Sequence, residues 1–194
     1  VLSFPRRPLV MGIVNVNDDS FSGDGTLDVD EALRQAVAQA AAGADIVDLG
    51  AESARTNRAA IPVEEECARL RGVLERWGEV TASTGPRDGE QVWPPVLSVN
   101  TWRSEVVATA LGLRAELIND MGGLPDGSNA RLVAEHGAAL LVMHTAGLPK
   151  VEQTGHYWDD VMVELERFFE DKLTVAQSEG LSPDQLVIDP GIDF

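Results

Sequence analysis

Six short apolar runs, each followed at once by polar residues, constrain this chain more than any other feature. They lie at residues 9–14, 44–49, 96–99, 115–118, 138–143 and 186–188. Near-continuous apolar runs of this length, bounded by turn formers, read as strands buried on both faces of a parallel sheet. The segments between them have helical spacing. Asp28 and Glu31 are placed as an N-cap and its capping-box partner, and Leu33, Ala36, Val37 and Ala40 form one face that stops at Gly43. Pro62 opens a second helix with Val63, Cys67, Leu70, Val73, Leu74 and Trp77 on its apolar side. Trp158, Val161, Met162, Leu165, Phe168, Phe169 and Leu173 make the stripe of a long helix ending near Gly180.

Strand–helix alternation predicts an α/β fold with a parallel sheet and helices outside. The pattern contains six strands and about five helices, with no internal linker. The stretch 81–95, rich in Gly, Pro and charge, reads as an insertion on the side away from the strand ends. A TIM (β/α)8 barrel needs about eight such units, and this chain stops just after an apolar run. The expectation is a single domain over 1–194 holding about the first six β/α units, incomplete at its C-terminal side.

Composition narrows the function classes. At 194 residues, with 44% apolar and 24% charged residues, the chain can bury a sizeable core. A net charge of −17 argues against nucleic acid or an anionic membrane as partner. No apolar run approaches the ~20 residues that span a bilayer. The first residues, Val1 to Pro8, are too short and proline-rich for a secretory signal. A single cysteine, Cys67, excludes an internal disulfide framework, and the expected location is cytoplasmic.

The polar residues after the runs are where chemistry is expected, because parallel α/β sheets and barrels place their sites at the carboxyl ends of the strands. Asn15 follows the first run, and the second ends in Asp48-Leu49-Gly50-Ala51-Glu52. The third ends in Ser98-Val99-Asn100-Thr101, the fourth in Ile118-Asn119-Asp120 and the fifth in Met143-His144-Thr145, and Asp189-Pro190-Gly191 follows the sixth. One carboxylate or amide at a strand end often only caps a loop. Acids and amides from successive strands suit a flat heterocycle whose edge carries amide and amine groups, since Asp accepts two N–H bonds while Asn donates and accepts together.

The segment Met11 to Ser22 closely resembles the opening signature of dihydropteroate synthases, MGILNVTPDSFSDGG. The resemblance continues in order. The family pattern D-x-G-G-E-S-T-R resembles Asp48 to Arg55, S-V-D-T resembles Ser98 to Thr101, I-N-D resembles Ile118 to Asp120, and D-P-G-x-x-F resembles Asp189 to Phe194. It implies a pterin-binding barrel that joins para-aminobenzoate to a 6-hydroxymethyl-dihydropterin pyrophosphate in folate synthesis, with Mg²⁺ as cofactor. Carried over position by position, Asp48, Asn100, Asn119, Met143 and Asp189 would bind the pterin. Asn15 would meet the magnesium pyrophosphate, and the catalytic residues would include, beside it, Asp24 on the first loop and Arg55 on the mobile second loop near the aminobenzoate. The partners implied are these small molecules and a second copy of the chain in a homodimer, with no nucleic acid or membrane.

The chain departs from the pattern at several positions. Asn100 stands where the family has Asp, exchanging a carboxylate for an amide, a hydrogen-bond difference of roughly 1–2 kcal/mol. Ala54 replaces a threonine, Thr56-Asn57 replaces Pro-Gly, Asn17-Asp18 replaces Thr-Pro, and the loop aspartate, Asp24, is shifted by one residue. Two alternatives follow: a paralogue that binds a pterin without condensation and, below it, a pterin-dependent methyltransferase. No activated Ser or Cys is required by the implied chemistry. Cys67 is expected in the core, His136 at a helix C-terminus, His144 in either a supporting or a direct site role, His156 in a structural place at the opening of the last helix, and Arg58 either solvated or beside an anion.

Overall fold

The computed structural model describes residues 7–18, 25–52, 59–89, 91–147, 149–151 and 158–192. In chain order these form β1 (Met11–Asn15), α1 (Val29–Ala42), β2 (Ile46–Gly50), α2 (Val63–Leu74), α3 (Trp77–Ser83), β3 (Val96–Asn100), α4 (Ser104–Gly112), β4 (Leu117–Asp120), α5 (Ser128–His136), β5 (Ala139–Met143), α6 (Val161–Ser178) and β6 (Leu186–Asp189). The strands make one sheet in the order β1-β2-β3-β4-β5-β6, and every adjacent pair is parallel. This is the arrangement expected of the first six units of a (β/α)8 barrel.

Alternation along each strand creates two faces with different tasks. Val14, Val47, Leu49, Leu97, Val99, Ile118, Leu140 and Val142 belong to the main core, with Ala36, Leu70, Val106 and Val133 of the helices. The opposite face carries a smaller cluster of Ile46, Val96, Leu117, Leu141 and Met143. Asn15, Asp48, Asn100, Asn119 and Asp189 have the same parity as this inner set, so they lie on the inner face above or among its apolar residues.

Helix boundaries follow local chemistry. The Asp28 carboxylate accepts from the N–H groups of Asp30 and Glu31, and α1 ends at Gly43, whose φ of 109° lies in the left-handed region. The helix expected from Pro62 through Trp77 is instead two. Arg76, at φ −104° and ψ 8°, breaks the helical path between α2 and α3. Its guanidinium bonds Asp30 of α1 and Glu79, and the turn lets Val80 reach the core. In α6 the expected stripe holds at Phe169, which is buried, and at half-buried Phe168 and Leu173. Its first turn does not: Val161 and Met162 are 48% and 59% exposed. The later turns carry the packing, where Ala176 is buried and Arg131 of α5 donates to Glu179 just beyond the helix.

The 81–95 stretch begins as the end of α3 and then lies at the amino ends of the strands, as expected. Arg87 donates to Ala42 O, and Gln91 Nε2 donates to Ala40 O and Ala44 O. Asp45, fully buried, accepts both guanidinium nitrogens of Arg7 and the N–H groups of Val10 and Val92, which fastens this end shut. The Arg7 bonds, with those amides, hold the Asp45 carboxyl below its ordinary range despite burial.

Two substitutions test this frame by urea unfolding. Leu49→Ala, at a fully buried outer-face position, should lose about 2–5 kcal/mol. Asp28→Ala should lose only about 1 kcal/mol, the contribution of one N-cap.

Candidate functional site

The C-terminal halves of the strands hold the polar residues. Asn15 pairs in register with Gly50, Gly50 with Asn100, and Asn100 with Asn119. Asp48 is not at the strand end: it lies two residues earlier, opposite Ile13 and Ser98. Gly50 occupies the same face one step nearer the mouth. A methyl group there would stand 3.7 Å from Asn100 Cβ and 4.0 Å from Asn15 Oδ1, so glycine leaves the space between the two amides open above Asp48.

Asp48 is only 3% exposed, and neighbours from two strands satisfy it. Ser98 Oγ donates to Oδ1 at 2.5 Å and Asn119 Nδ2 to Oδ2 at 3.0 Å. Burial nevertheless pushes its carboxyl above the usual range, against the lowering effect of hydrogen bonds from Ser98, Asn119 and Asn100. Desolvation therefore outweighs the bonds. Such a carboxylate gains from any further donor that arrives in a dry site.

Asp189 forms a second part of the rim. It pairs in register with Met143, and its Oδ1 accepts from the Gly191 N–H at 2.8 Å while its carbonyl accepts from His144 N at 2.7 Å. Gly191 has φ 62°, and a Cβ there would collide with the His144 carbonyl, so glycine is required for this turn. The His144 ring is buried beside Phe168, with centroids 4.8 Å apart, and faces Trp158 edge-on at 6.1 Å. That packing gives His144 a supporting place behind Met143 and Asp189.

The expected residues thus share one end of the barrel, in two groups: Asp48 with Asn100 and Asn119, and Asp189 with Met143. Asn15 stands beside the first group. Asp24, Arg55, Arg58 and His156 lie outside the described residues. Cys67 is half-buried at the edge of the core, with Sγ 3.5 Å from Thr109 Oγ1. His136 lies exposed at the end of α5, Nδ1 2.9 Å from Leu132 O.

Sequence reasoning gave Ser98 no role, although its hydroxyl is the shortest contact to Asp48. It also missed a charged cluster of Glu52, Glu66, Arg103 and Lys150 at the same end. One signal was present: Glu66 interrupts the apolar face of α2 that carries Leu70 and Val73. Asp120 is a different case. Facing outward and fully buried, it accepts from Asn129 Nδ2 and Gly122 N, so it anchors the β4–α5 turn and does not line the mouth.

A family model for pterin binding enzymes matches residues 11–194. The dihydropteroate synthase of Escherichia coli K12 is 35% identical over 97% of this chain. The chain spans 63% of that relative's length. Among solved structures, a Yersinia pestis dihydropteroate synthase with a sulfonamide drug superposes with a TM-score of 0.83 at 34% identity, covering 97% of this chain and 64% of that one. A Burkholderia cenocepacia dihydropteroate synthase complexed with 7,8-dihydropteroate gives 0.79 at 29% identity, covering 97% and 60%.

The raised Asp48 carboxyl has a thermodynamic signature. An acid that binds its proton more readily when folded contributes stability below its ordinary value of 3.8, and that contribution is lost as pH rises through the higher folded value. Asp48→Asn removes this titration. The stability of the native protein minus that of the variant should therefore fall in urea unfolding as pH rises above 3.8 and through the higher folded-state titration. A difference that is flat with pH would contradict the assignment.

Proposed function

The chain belongs to the pterin binding enzyme family, and from that premise we propose that it forms the pterin-binding part of a transferase that condenses 6-hydroxymethyl-dihydropterin pyrophosphate with para-aminobenzoate. One observation carries the reading: a buried carboxylate, Asp48, bracketed by Asn100 and Asn119 at the carboxyl end of a parallel barrel sheet. The apolar residues Ile46, Val96, Leu117 and Leu141 share that face, so a flat ring would lie on an apolar floor with its polar edge toward the amides and acids. The Burkholderia relative, 29% identical, binds 7,8-dihydropteroate, the product this reaction would form.

The residues divide the work. Asp48 and Asp189 accept from the amino-pyrimidine edge of the pterin, and Asn100 and Asn119 orient its amide portion. Met143 packs against the ring. These contacts hold the pterin methylene at the mouth, where loss of pyrophosphate gives it cationic character and the arylamine attacks. Asn15 lies on the leaving-group side; by their place in the motifs, Asp24 belongs to the first loop and Arg55 to the second loop, near the aminobenzoate.

Mg²⁺ fits this arrangement in one mode. Among the described residues no group of three or more His, Cys, Asp or Glu is placed to hold a metal. Magnesium commonly takes one or two protein oxygens and completes its shell with substrate phosphates and water, and Asn15 can supply such an oxygen. When bound, it would neutralise charge on the departing pyrophosphate.

The same reading includes a cytoplasmic location, consistent with a chain whose one cysteine needs no oxidising compartment, and a homodimer, which sedimentation would test. No helix among the described residues is long and apolar enough to cross a membrane.

Two measurements on the full-length protein test the proposal. In calorimetry with a pterin ligand, Asp189→Ala should weaken binding by about 2 kcal/mol and Asn100→Ala by about 1, because only the first removes a charge-assisted acceptor. Equal small losses would show that the mouth is not used in this way. A coupled assay should follow Mg²⁺-dependent pyrophosphate release and 7,8-dihydropteroate formation separately. The altered loop residues Ala54, Thr56 and Asn57 should make arylamine addition the weaker step. Pterin binding with no pyrophosphate release would replace this reading with a pterin-binding paralogue.

A further inference from the structure

The connections that follow β2, β3 and β5 are joined by a cluster of four charged side chains. Glu52 Oε2 accepts from Arg103 Nη2 at 3.2 Å and from the Ile61 N–H at 2.9 Å, and Glu52 Oε1 meets Lys150 Nζ at 2.9 Å. Arg103 Nη1 donates to Glu66 Oε2 and to the Ile61 carbonyl, each at 2.9 Å. Thr101 Oγ1 closes the set by donating to Glu66 Oε1 at 2.7 Å. The side chains of Glu52, Glu66, Arg103 and Lys150 are only 2%, 0%, 15% and 11% exposed. Two buried carboxylates and two half-buried cations thus meet with formal charge balance.

The cluster has a specific topology. Glu52 and Ile61 are the two ends of the β2–α2 connection, and both are held by the same guanidinium. Arg103 follows β3, so that connection is tied to its neighbour. Lys150 follows β5 and reaches Glu52 across the intervening strands β3 and β4.

Buried ion clusters are weak contributors to net stability, because desolvating the charges offsets most of their attraction. The strand frame here is already held by parallel pairing and by the core. What a fork of five donors adds is fixed geometry. The cluster occupies the catalytic end, and the connection it clamps carries Arg55 in its sequence.

We infer that Glu52 and Arg103 are positioning residues for the arylamine step, clamping the two ends of the β2–α2 connection to each other and to the connections after β3 and β5. This inference rests on the proposed condensation and extends it to residues that touch neither pterin nor pyrophosphate. Glu52→Gln keeps the shape and an acceptor for Ile61 but leaves Arg103 and Lys150 undercompensated. Arg103→Lys keeps the charge but loses the fork that reaches Glu52, Glu66 and Ile61 O at once.

The experiment uses the full-length protein and three readouts on each variant: hydrogen exchange of the Ile61 amide, pterin affinity by calorimetry, and steady-state kinetics with para-aminobenzoate. Both variants should speed Ile61 exchange about tenfold and raise the aminobenzoate KM about tenfold, with pterin Kd within about twofold of the parent. A merely destabilised protein would lose kcat through a smaller active fraction and leave KM in place. Unchanged Ile61 exchange would overturn the clamp. Faster exchange with unchanged KM would overturn the positioning role, and an equal loss of pterin affinity would place Glu52 in the pocket instead. If the parent protein forms no 7,8-dihydropteroate, the proposed condensation fails and the positioning role with it. Ile61 exchange then reports separately on the clamp.

Discussion

Each strand of this sheet has to satisfy two unlike neighbours at once, and the rest of the structure depends on that constraint. Outward side chains meet helices and must be apolar and closely packed, as Val14, Val47, Leu49, Val99 and Ile118 are. Inward side chains face the other strands across the barrel and are free to change character along the strand. Near the amino ends they are Ile46, Val96 and Leu117. Nearer the carboxyl ends they become Asp48, Ser98, Asn100 and Asn119. A parallel sheet brings all of those carboxyl ends together, so a polar residue late in one strand has the polar residues of the next strands for company. The apolar outer face makes the fold, and the graded inner face makes the site.

Asp48 shows what that gradation does energetically. Removing a carboxylate from water is costly, and hydrogen bonds from Ser98 and Asn119 repay only part of it. A second carboxylate at position 100 would add like-charge repulsion nearby. The amide found there is neutral and one of Asp48's own hydrogen-bond partners. This chain therefore concentrates the negative charge of the inner group on a single residue. Around the mouth, charge is handled differently: Glu52 and Glu66 are compensated by Arg103 and Lys150, and the result is fixed geometry between connections.

The six strands and the family resemblance were legible because they are written in short contiguous segments. The run at 96–99, for example, is extended only by Asn100 in the fold, and Asp28 and Gly43 marked both ends of α1. The turn at Arg76 was hidden, because apolar spacing continues unbroken from Leu74 to Trp77 and the reason for the break is an arginine reaching Asp30 on another helix. The stripe on α6 was overextended: periodicity says which residues share a face, and it does not say how far a neighbour covers it. Asp48 was expected at a strand end because a polar residue looks like a terminus, whereas on an inner face it is compatible with continued pairing through Leu49 and Gly50. The Glu52 cluster draws on four separate segments, 52, 61–66, 101–103 and 150, so only the assembled fold reveals it.

The central claim is that a buried, partly compensated Asp48 receives the polar edge of a pterin. Carbon-13 NMR of the Asp48 carboxyl tests it most directly. In the free protein the resonance should titrate above its ordinary value of 3.8, and a saturating pterin should lower the midpoint, because the arriving N–H donors favour the ionised form. A midpoint at or below 3.8 in the free protein, or one that a bound pterin leaves in place, would contradict the account.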